Sequence, residues 1–344
     1  MTLGKIAFLG SGETSRAGGE VLERLARDFA HPLRIAILET PAGFELNSQQ
    51  VAGRVGDFMR SRLQQFEPEI EVVPARRRGT PLSPDEPAIL GPLLRADLIF
   101  MGPGSPTYAI RQLRGSLAWD LIRARQRLGA GLIFASSAAI AVSAWGLPVY
   151  EIFKVGADVE SVPGLDLFGD FGMHISFIPH WNNAEGGDDL DTSRCFVGME
   201  RFQAWCNSLP ANSTTVGLDE HTWLTIDVEA GTCEVGGVST VSLVGDGDPR
   251  IFPAGARFAL ADLGMIELPA PPERGIAEPA WEMLRKIPPP KQDEPPPRVL
   301  ELTEERRQAR ARANWVESDR LRDEIARLGW RALDTPTGQV LVRA

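Results

Sequence analysis

The stretch "LIFASSAAIAVSAW", residues 132–145, joins an apolar run to two serines and then to small helix-forming residues. Similar apolar runs precede it at "KIAFLG" (5–10), "RIAILE" (34–39), "IEVVPA" (70–75) and "ADLIFMG" (96–102). Segments in which apolar residues recur at helical spacing separate these runs. Continuous apolar strands that alternate with amphipathic helices are typical of a parallel sheet covered on both faces. The sequence therefore predicts an α/β fold of three layers with a mostly parallel, flavodoxin-type sheet.

The bulk composition narrows the classes of function. The 344-residue chain has a formal net charge of -10, which provides no general attraction to nucleic acid. Its three cysteines lack the paired spacing of a zinc site or a disulfide framework. We find no signal-peptide pattern and no apolar run of about 18 residues, the length that a membrane-spanning helix needs. We therefore expect a cytoplasmic protein that contacts no membrane and uses neither a metal nor a cofactor.

Changes in composition divide the chain into three parts. Residues 1–268 carry the α/β pattern, and after Tyr150 they contain short strands that suggest an antiparallel addition to the sheet. Residues 269–298 are dense in proline, which predicts a semi-rigid linker. Residues 299–344 predict a small helical hairpin with a break at Asn314–Trp315. From Arg298 onward, ten arginines and eight acidic residues give a net charge of +2, whereas the remainder carries -12.

Glycine and serine cluster where three predicted strands end, at "GSGE" (10–13), "GPGS" (102–105) and "ASSA" (135–138). Ligands of open α/β sheets bind beyond the carboxyl ends of the strands. The strand, small residues and helix around Ser137 are what a nucleophile elbow requires, although Ala135 and Ala139 occupy the positions of the two glycines in Gly-x-Ser-x-Gly. Close packing of a strand and a helix would produce the same pattern. Ser136 is the only other hydroxyl at that edge.

A nucleophilic serine needs a base, and the chain has four histidines. His180 ends an apolar run, and Trp181 and Asn182 follow it, which favours it as a general base. A histidine that makes a loop hydrogen bond would look the same. Three carboxylates could orient its imidazole, and their spacing does not choose among them; they are Glu151, Asp158 and Glu185.

An acyl-transfer site also needs backbone donors for an oxyanion. The glycine-rich turn at Gly102, Gly104 and Ser105 precedes a predicted helix and offers such N–H groups, as does Ala138 after the serine. A plain tight turn would give the same signal. Neither this turn nor "GSGE" has the spacing of a nucleotide-binding fingerprint.

Taken in order, these motifs resemble the dipeptidase E and cyanophycinase family of serine peptidases, which has a class I glutamine amidotransferase-like fold. The resemblance covers residues 1–268 and includes "GPGSPTYAIRQL", "ASSAAIAVS", "FIPHW" with Arg194, and "GLDEHTWL" with Glu220. It implies that Ser137 is the nucleophile and His180 the base. We expect five further residues to belong to the oxyanion or binding site: Ser136, Trp181, Asn182, Arg194 and Glu220. Because the third member of the family's triad follows the serine by about 15 to 18 residues, the resemblance makes Glu151 the nearest carboxylate. No cysteine stands at the elbow, which disfavours a glutaminase.

The resemblance predicts a serine hydrolase that acts on a small peptide or amide through Ser137, His180 and Glu151. An alternative is a catalytically degenerate, amidotransferase-like binding protein that associates with tRNA or a protein partner through its C-terminal tail, since both elbow glycines are replaced by alanine. Reaction with a fluorophosphonate serine probe would distinguish the two functions. The sequence leaves the substrate and self-association into a homo-oligomer open.

The tail resembles a second family, the C-terminal end of cysteinyl-tRNA synthetases. The resemblance spans about 35 residues and includes Ala309–Arg310, Asn314–Trp315, Arg322–Asp323 and Asp334–Thr335. In those synthetases the segment meets the anticodon end of tRNA, so the resemblance implies tRNA as a partner of residues 299–344. Ala313 replaces the family's lysine, and the synthetase catalytic motifs are absent, which excludes aminoacylation. A packing or oligomerising module is the alternative.

Overall fold

The computed structural model describes residues 3–211, 213–245, 247–287, 295–312, 314–335 and 338–343. The chain forms two compact units, Met1–Lys286 and Ile287–Ala344. Ala313, where the tail resemblance expects lysine, lies outside the described residues. Among the described helices, none combines the length and apolar character needed to cross a membrane.

The described strands are numbered in chain order: β1 (Ile6–Leu9), β2 (Arg34–Leu38), β3 (Glu69–Val73), β4 (Leu98–Met101), β5 (Gly131–Ala135), β6 (Trp145–Gly146), β7 (Val162–Pro163), β8 (Ile175–Ile178), β9 (Thr214–Leu218), β10 (Thr222–Asp227), β11 (Thr232–Gly237), β12 (Thr240–Val244), β13 (Arg250–Pro253), β14 (Arg257–Ala259), β15 (Trp330–Thr335) and β16 (Gly338–Arg343). The α-helices are α1 (Arg16–Ala26), α2 (Ser48–Arg62), α3 (Gly91–Arg95), α4 (Pro106–Leu113), α5 (Leu117–Arg127), α6 (Ser137–Ala141), α7 (Gly198–Asn207), α8 (Glu278–Arg285), α9 (Pro297–Ala311) and α10 (Trp315–Arg327).

The main sheet of the first unit has eight strands in the order β14-β11-β10-β1-β5-β4-β2-β3. The five strands predicted from the apolar runs, β1 to β5, pair in parallel. β10, β11 and β14 extend the sheet with antiparallel pairing. The predicted mixed α/β fold with a large, partly parallel sheet and an antiparallel addition is therefore confirmed.

Alternate residues of the parallel strands enter two different apolar clusters. In β1, Ile6 and Phe8 belong to one cluster, and Ala7 and Leu9 belong to the other. Side chains of α1 and α2 join the second cluster, whereas those of α4, α5 and α8 join the first. Since successive side chains of a strand point to opposite faces, β1, β2, β4 and β5 bury both faces, whereas the edge strand β3 leaves Glu69 and Glu71 exposed. This explains why the sequences of those four strands are largely apolar.

A second sheet supplies the remaining residues near the candidate site. It has four strands in the order β13-β12-β9-β8, and β8 and β9 run parallel. Parallel neighbours end at the same edge of a sheet, so the loops after β8 and after β9 lie side by side. Those two loops contain His180 and Glu220.

The proline-rich segment differs from the predicted linker. Its first half contains α8, in which Ala280, Trp281 and Leu284 are buried in the apolar cluster of the first unit. The buried side chain of Arg127 also donates hydrogen bonds to the carbonyls of Pro272 and Arg274. The first unit therefore extends beyond the boundary predicted at residue 268 and ends at Lys286. It does so because α8, which lies within the proline-rich segment, packs its apolar face into the core of this unit.

The second unit contains α9, α10 and the β15–β16 hairpin around a small core of its own. The break predicted at Asn314–Trp315 is confirmed, since Asn314 caps α10 by accepting a hydrogen bond from the Glu317 amide at 3.2 Å. The hairpin of strands is an addition to the predicted pair of helices. Several arginines on the helices form ion pairs with acidic neighbours; these pairs include Arg298–Glu324, Arg307–Glu304, Arg320–Glu317 and Arg322–Asp319.

Candidate active site

Ser136 occupies a sharp turn between β5 and α6. Its backbone has φ 53° and ψ -122°, a conformation that residues other than glycine rarely adopt. The fully buried Ala135 and Ala138 flank the serine pair closely, which explains why only small residues fit there. The Ser136 side chain stays partly accessible at the carboxyl edge of the sheet. This is the backbone geometry of a nucleophile elbow.

The sequence prediction assigned the strained turn to Ser137, and the structure moves it one residue earlier. Ser137 is the first residue of α6 and is 5% exposed. Its Oγ donates to the Gly102 carbonyl at 3.3 Å. The shift arises because β5 ends at Ala135, which leaves a single residue for the turn. Ser137 thus connects the elbow with the glycine-rich turn, and Ser136 has the accessible hydroxyl.

His180 lies directly beside the elbow. The distance between Ser136 Oγ and His180 Nε2 is 3.0 Å. The end of β1 holds both residues, because the Leu9 carbonyl accepts from the Ser136 amide and the Gly10 carbonyl accepts from the His180 amide. A side chain at Gly10 would meet the Asp219 carbonyl at 2.0 Å, so this close approach requires glycine. The "GSGE" motif therefore contributes to the site through its backbone.

Glu220 orients the other edge of the imidazole. Its Oε1 lies 2.9 Å from His180 Nδ1 and accepts a second hydrogen bond from Asn183 Nδ2 at 3.0 Å. Burial by itself raises the pKa of the Glu220 carboxyl. The hydrogen bonds from His180 and Asn183, with the charges of His180 and His221, outweigh it and lower this pKa below its ordinary value. The carboxylate is therefore ionised at neutral pH.

The charge of Glu220 fixes the roles of both imidazole nitrogens. An ionised carboxylate only accepts hydrogen bonds, so Nδ1 of His180 donates to it. In a neutral imidazole the other nitrogen, Nε2, is then an acceptor, so the hydroxyl of Ser136 donates its hydrogen bond to it. The chain Ser136–His180–Glu220 has the polarity that a proton-accepting base requires.

The three carboxylates considered from the sequence lie elsewhere. Glu151 begins a short π-helical turn, and its Oε1 accepts a hydrogen bond from Thr107 Oγ1 at 2.6 Å. Asp158 and Glu185 are exposed. Among the described residues, neither these two nor Glu151 makes a hydrogen bond to His180. The family resemblance selected Glu151, whereas the adjacency of β8 and β9 brings Glu220 to His180. The sequence had placed Glu220 only among the expected oxyanion or binding residues.

Asn182 and Asn183 hold the turn that presents Glu220. Asn182 Oδ1 accepts from the Glu220 amide at 2.8 Å, and Asn183 binds the carboxylate itself. The neighbouring Asp219 accepts hydrogen bonds from Ser239 and Thr240 and fixes the start of the turn. The side chain of Asn182, one of the expected oxyanion or binding residues, therefore braces Glu220. Sequence reasoning gave no role to Asn183.

The glycine-rich turn after β4 packs closely against the chain after β2. Gly104 has φ 151°, and a side chain there would meet the Pro41 carbonyl at 2.0 Å. Ser105 donates its amide to the same carbonyl at 2.8 Å, and its hydroxyl caps α4. Ser105 therefore does not offer the free N–H that was expected of it. Because Pro103 has no N–H, the amides of Gly102 and Gly104 are the donors that this turn can supply.

Trp181 and Arg194 pack together next to the histidine. The Arg194 guanidinium lies 4.0 Å above the Trp181 ring, and its Nη1 donates to the Trp181 carbonyl at 2.9 Å. Burial lowers the pKa of Arg194, although Asp191 and Asp219 act in the opposite direction. These two expected binding residues thus stack on each other.

The cysteines do not provide a competing nucleophile. Burial raises the pKa of Cys195 and Cys233 to about 12 and that of Cys206 to about 11, so all three remain thiols at neutral pH. Within the described ranges, no group of three or more His, Cys, Asp or Glu side chains could hold a metal ion.

Comparison with known proteins adds two findings. No family model matches the chain. Part of the chain is 47% identical over 53 residues to a cysteine–tRNA ligase of Caldicellulosiruptor saccharolyticus and 50% identical over 50 residues to that of Rubrobacter xylanophilus. These matches cover 15% and 14% of this chain, and it spans only 11% of the length of each ligase.

The fold of the larger part resembles solved peptidase structures. The crystal structure of a peptidase from an acI-B1 Actinobacterium aligns with a TM-score of 0.59 and 21% identity, covering 75% of this chain and 97% of that chain. A Listeria monocytogenes protein provisionally designated peptidase E aligns with a TM-score of 0.44 and 15% identity, covering 69% and 100%. The first similarity establishes a shared fold.

Proposed function

We propose that this protein is a serine hydrolase that cleaves a peptide or amide bond, with Ser136 as nucleophile, His180 as general base and Glu220 as the orienting carboxylate. The observation that carries this proposal is the continuous hydrogen-bonded chain of 3.0 and 2.9 Å that ends on a serine with elbow geometry. The proposal keeps the predicted Ser-His-Glu chemistry and replaces Ser137 by Ser136 and Glu151 by Glu220.

In the first half of the reaction, Ser136 Oγ attacks the carbonyl carbon of the scissile bond while His180 Nε2 takes the hydroxyl proton. The imidazolium that forms is stabilised by the Glu220 carboxylate. His180 then gives its proton to the departing amine, which leaves an acyl group on Ser136. Water, activated by the same imidazole, hydrolyses that ester and restores the enzyme.

Two backbone amides are suited to the oxyanion of the tetrahedral intermediate. The residue after the nucleophile supplies one in an elbow, and here that residue is Ser137. The turn held by the Ser137–Gly102 hydrogen bond brings the second, from Gly104, to the same edge. This assignment replaces the predicted donors Ala138 and Ser105. Such donors contribute most when they are fixed before the reaction begins, and the contact of Gly104 with Pro41 fixes this one.

The fold and the family resemblance support a peptide or amide as the substrate class. The solved structure with the matching fold is named a peptidase, and we assign this chain to the dipeptidase E and cyanophycinase-like group with the amidotransferase-like layering of that group. The direct test is hydrolysis of a defined mixture of short peptides followed by mass spectrometry. Cleavage by the wild type and none by His180→Ala supports the proposal; equal cleavage by both contradicts it.

A second function, tRNA binding by the tail, is favoured by the 47% identity of part of the chain to a cysteine–tRNA ligase. The ion pairs on α9 and α10 reduce the positive charge that is available to phosphates. We expect weak binding that falls steeply as salt rises. The full chain and a chain ending at Lys286 should be compared for tRNA retention at low and moderate salt. Equal retention by the two would exclude the tail as the binding element.

A further inference from the structure

Three consecutive residues between His180 and α7 have left-handed backbones. Their φ angles are 58° for Arg194, 60° for Cys195 and 70° for Phe196. This conformation is unfavourable for residues with a Cβ, and they usually adopt it singly rather than in runs. The Phe196 amide closes the turn on the Thr192 carbonyl at 3.0 Å. A strained segment that the fold nevertheless retains is a reason to look for a functional constraint.

The left-handed turn, residues 194–196, is bonded to the backbone of the candidate base. The Cys195 amide donates to the His180 carbonyl at 3.1 Å, and the Arg194 amide donates to the Trp181 carbonyl at 2.9 Å. His180 itself has a left-handed φ of 49°. The carbonyls of His180 and Trp181 thus accept hydrogen bonds from two amides of the left-handed turn. The strained backbone at His180 and the strained turn therefore stabilise each other.

The turn also places an aromatic ring against the imidazole. The ring centroids of His180 and Phe196 are 5.5 Å apart at an angle of 46°. Behind Phe196, the Phe153 ring is stacked at 5.7 Å and 19°. The hydrogen bonds of His180 to Ser136 and Glu220 lie in the plane of the imidazole and leave its faces unconstrained. Contact with Phe196 supplies the constraint that those two bonds lack.

We infer that Phe196 is a positioning residue, and that the left-handed turn exists to hold its ring where it fixes the orientation of the His180 imidazole. The kinetic part of this inference rests on the proposed hydrolase function. Its structural part, the dependence of the His180–Glu220 hydrogen bond on Phe196, does not. The two parts can therefore be tested separately on the full chain.

The test compares Phe196→Leu with Phe196→Tyr and with Phe153→Leu. Leucine removes the flat ring, tyrosine keeps it, and the Phe153 variant removes the next ring of the same stack as a matched control. One readout is the downfield NMR signal of the proton between His180 Nδ1 and Glu220, and the other is the rate of reaction with a fluorophosphonate. Melting temperatures identify variants that fail to fold. If Phe196→Leu fails to fold, Phe196→Met is used in its place.

We expect Phe196→Leu to lose the proton signal and to react at least about tenfold more slowly, since small displacements of catalytic groups are costly. Phe196→Tyr and Phe153→Leu should keep the signal and react within about threefold of the wild-type rate. A signal that persists in Phe196→Leu, or that is absent from the wild type, overturns the inference. An unreactive wild type whose signal depends on Phe196 contradicts the hydrolase proposal and leaves the positioning role standing.

Discussion

Ser136 Oγ lies 3.0 Å from His180 Nε2, although 44 positions separate the two residues in the chain. Adjacent carbonyls at the end of β1 accept hydrogen bonds from their two amides. The two side chains therefore meet because one strand end anchors both backbones. Any change that displaces that strand end should affect both residues together.

The assignment of the orienting carboxylate is tested by a matched pair of substitutions. Glu220→Gln removes the charge that selects the Nδ1-protonated imidazole, and we expect a loss of about 10³-fold or more in kcat/KM or in fluorophosphonate reactivity. Glu151→Gln has the same chemistry at a carboxylate bonded to Thr107 and should stay within about threefold of the wild type. A larger loss in Glu151→Gln than in Glu220→Gln would reverse the assignment.

The lowered pKa of Glu220 predicts how stability depends on pH. A carboxyl whose pKa is lower in the folded than in the unfolded state stabilises the protein above the unfolded pKa. That stabilisation disappears as the pH falls through the folded pKa. The ordinary pKa of a glutamate carboxyl is 4.5, so at pH 6 to 7 the wild type should exceed Glu220→Gln in the free energy of unfolding by the full amount, about 1 kcal/mol or more. This difference should vanish in more acid solution. Chemical denaturation of both proteins across this range measures it; an advantage that grows on acidification is the opposite result.

The glycine-rich turn is tested by Gly104→Ala. The added Cβ would collide with the Pro41 carbonyl, and φ 151° is unfavourable for alanine, so we expect about 2 kcal/mol of destabilisation. We also expect reduced reactivity at temperatures where the variant is folded, because the proposed oxyanion donor moves. Gly91→Ala, at a position with open space around it, is the control and should be nearly neutral. Equal melting temperatures for the two variants would mean that the turn tolerates a side chain.

The domain boundary is tested by two truncations. A chain ending at Lys286 should melt within a few degrees of the first unit in the full protein, because α8 stays in its core. A chain ending at Leu268 loses Trp281 and Leu284, which are 5% and 9% exposed, and should lose about 3 kcal/mol or more. Calorimetry of the two fragments gives the answer. Similar stability for both would restore the linker boundary predicted from the sequence.

The main sheet could be predicted because four of its five parallel strands, β1, β2, β4 and β5, are buried on both faces and are therefore largely apolar, as in "KIAFLG" and "ADLIFMG". The histidine could also be predicted, since His180 lies two residues after β8, a buried and apolar strand of the second sheet. The serine was misplaced by one residue because Ala135, Ser136 and Ser137 are all small, and only the backbone angles reveal which one turns. Glu220 depends on the pairing of β8 with β9, which joins segments that are distant in the chain.

The proline-rich segment was misjudged for a different reason. Composition averages over many residues, so the many prolines around "AWEMLRK" outweighed the signal of one short helix. The apolar face of that helix, with Trp281 and Leu284, packs into the core. The strained turn at Arg194–Phe196 has no sequence signal, because none of its three residues is glycine. The conformation is held by contacts with the surrounding chain, among them the hydrogen bonds from the three amides to the carbonyls of Trp181, His180 and Thr192.

The central claim, that Ser136 is an activated nucleophile, is tested most directly by labelling with a fluorophosphonate and locating the modified serine by mass spectrometry. The account predicts that the wild type is phosphonylated on Ser136, that Ser136→Ala is not labelled, and that Ser137→Ala, which lacks only the 3.3 Å hydrogen bond to Gly102, is still labelled. Labelling of Ser136→Ala with loss of labelling in Ser137→Ala, or no labelling of the wild type, would contradict it.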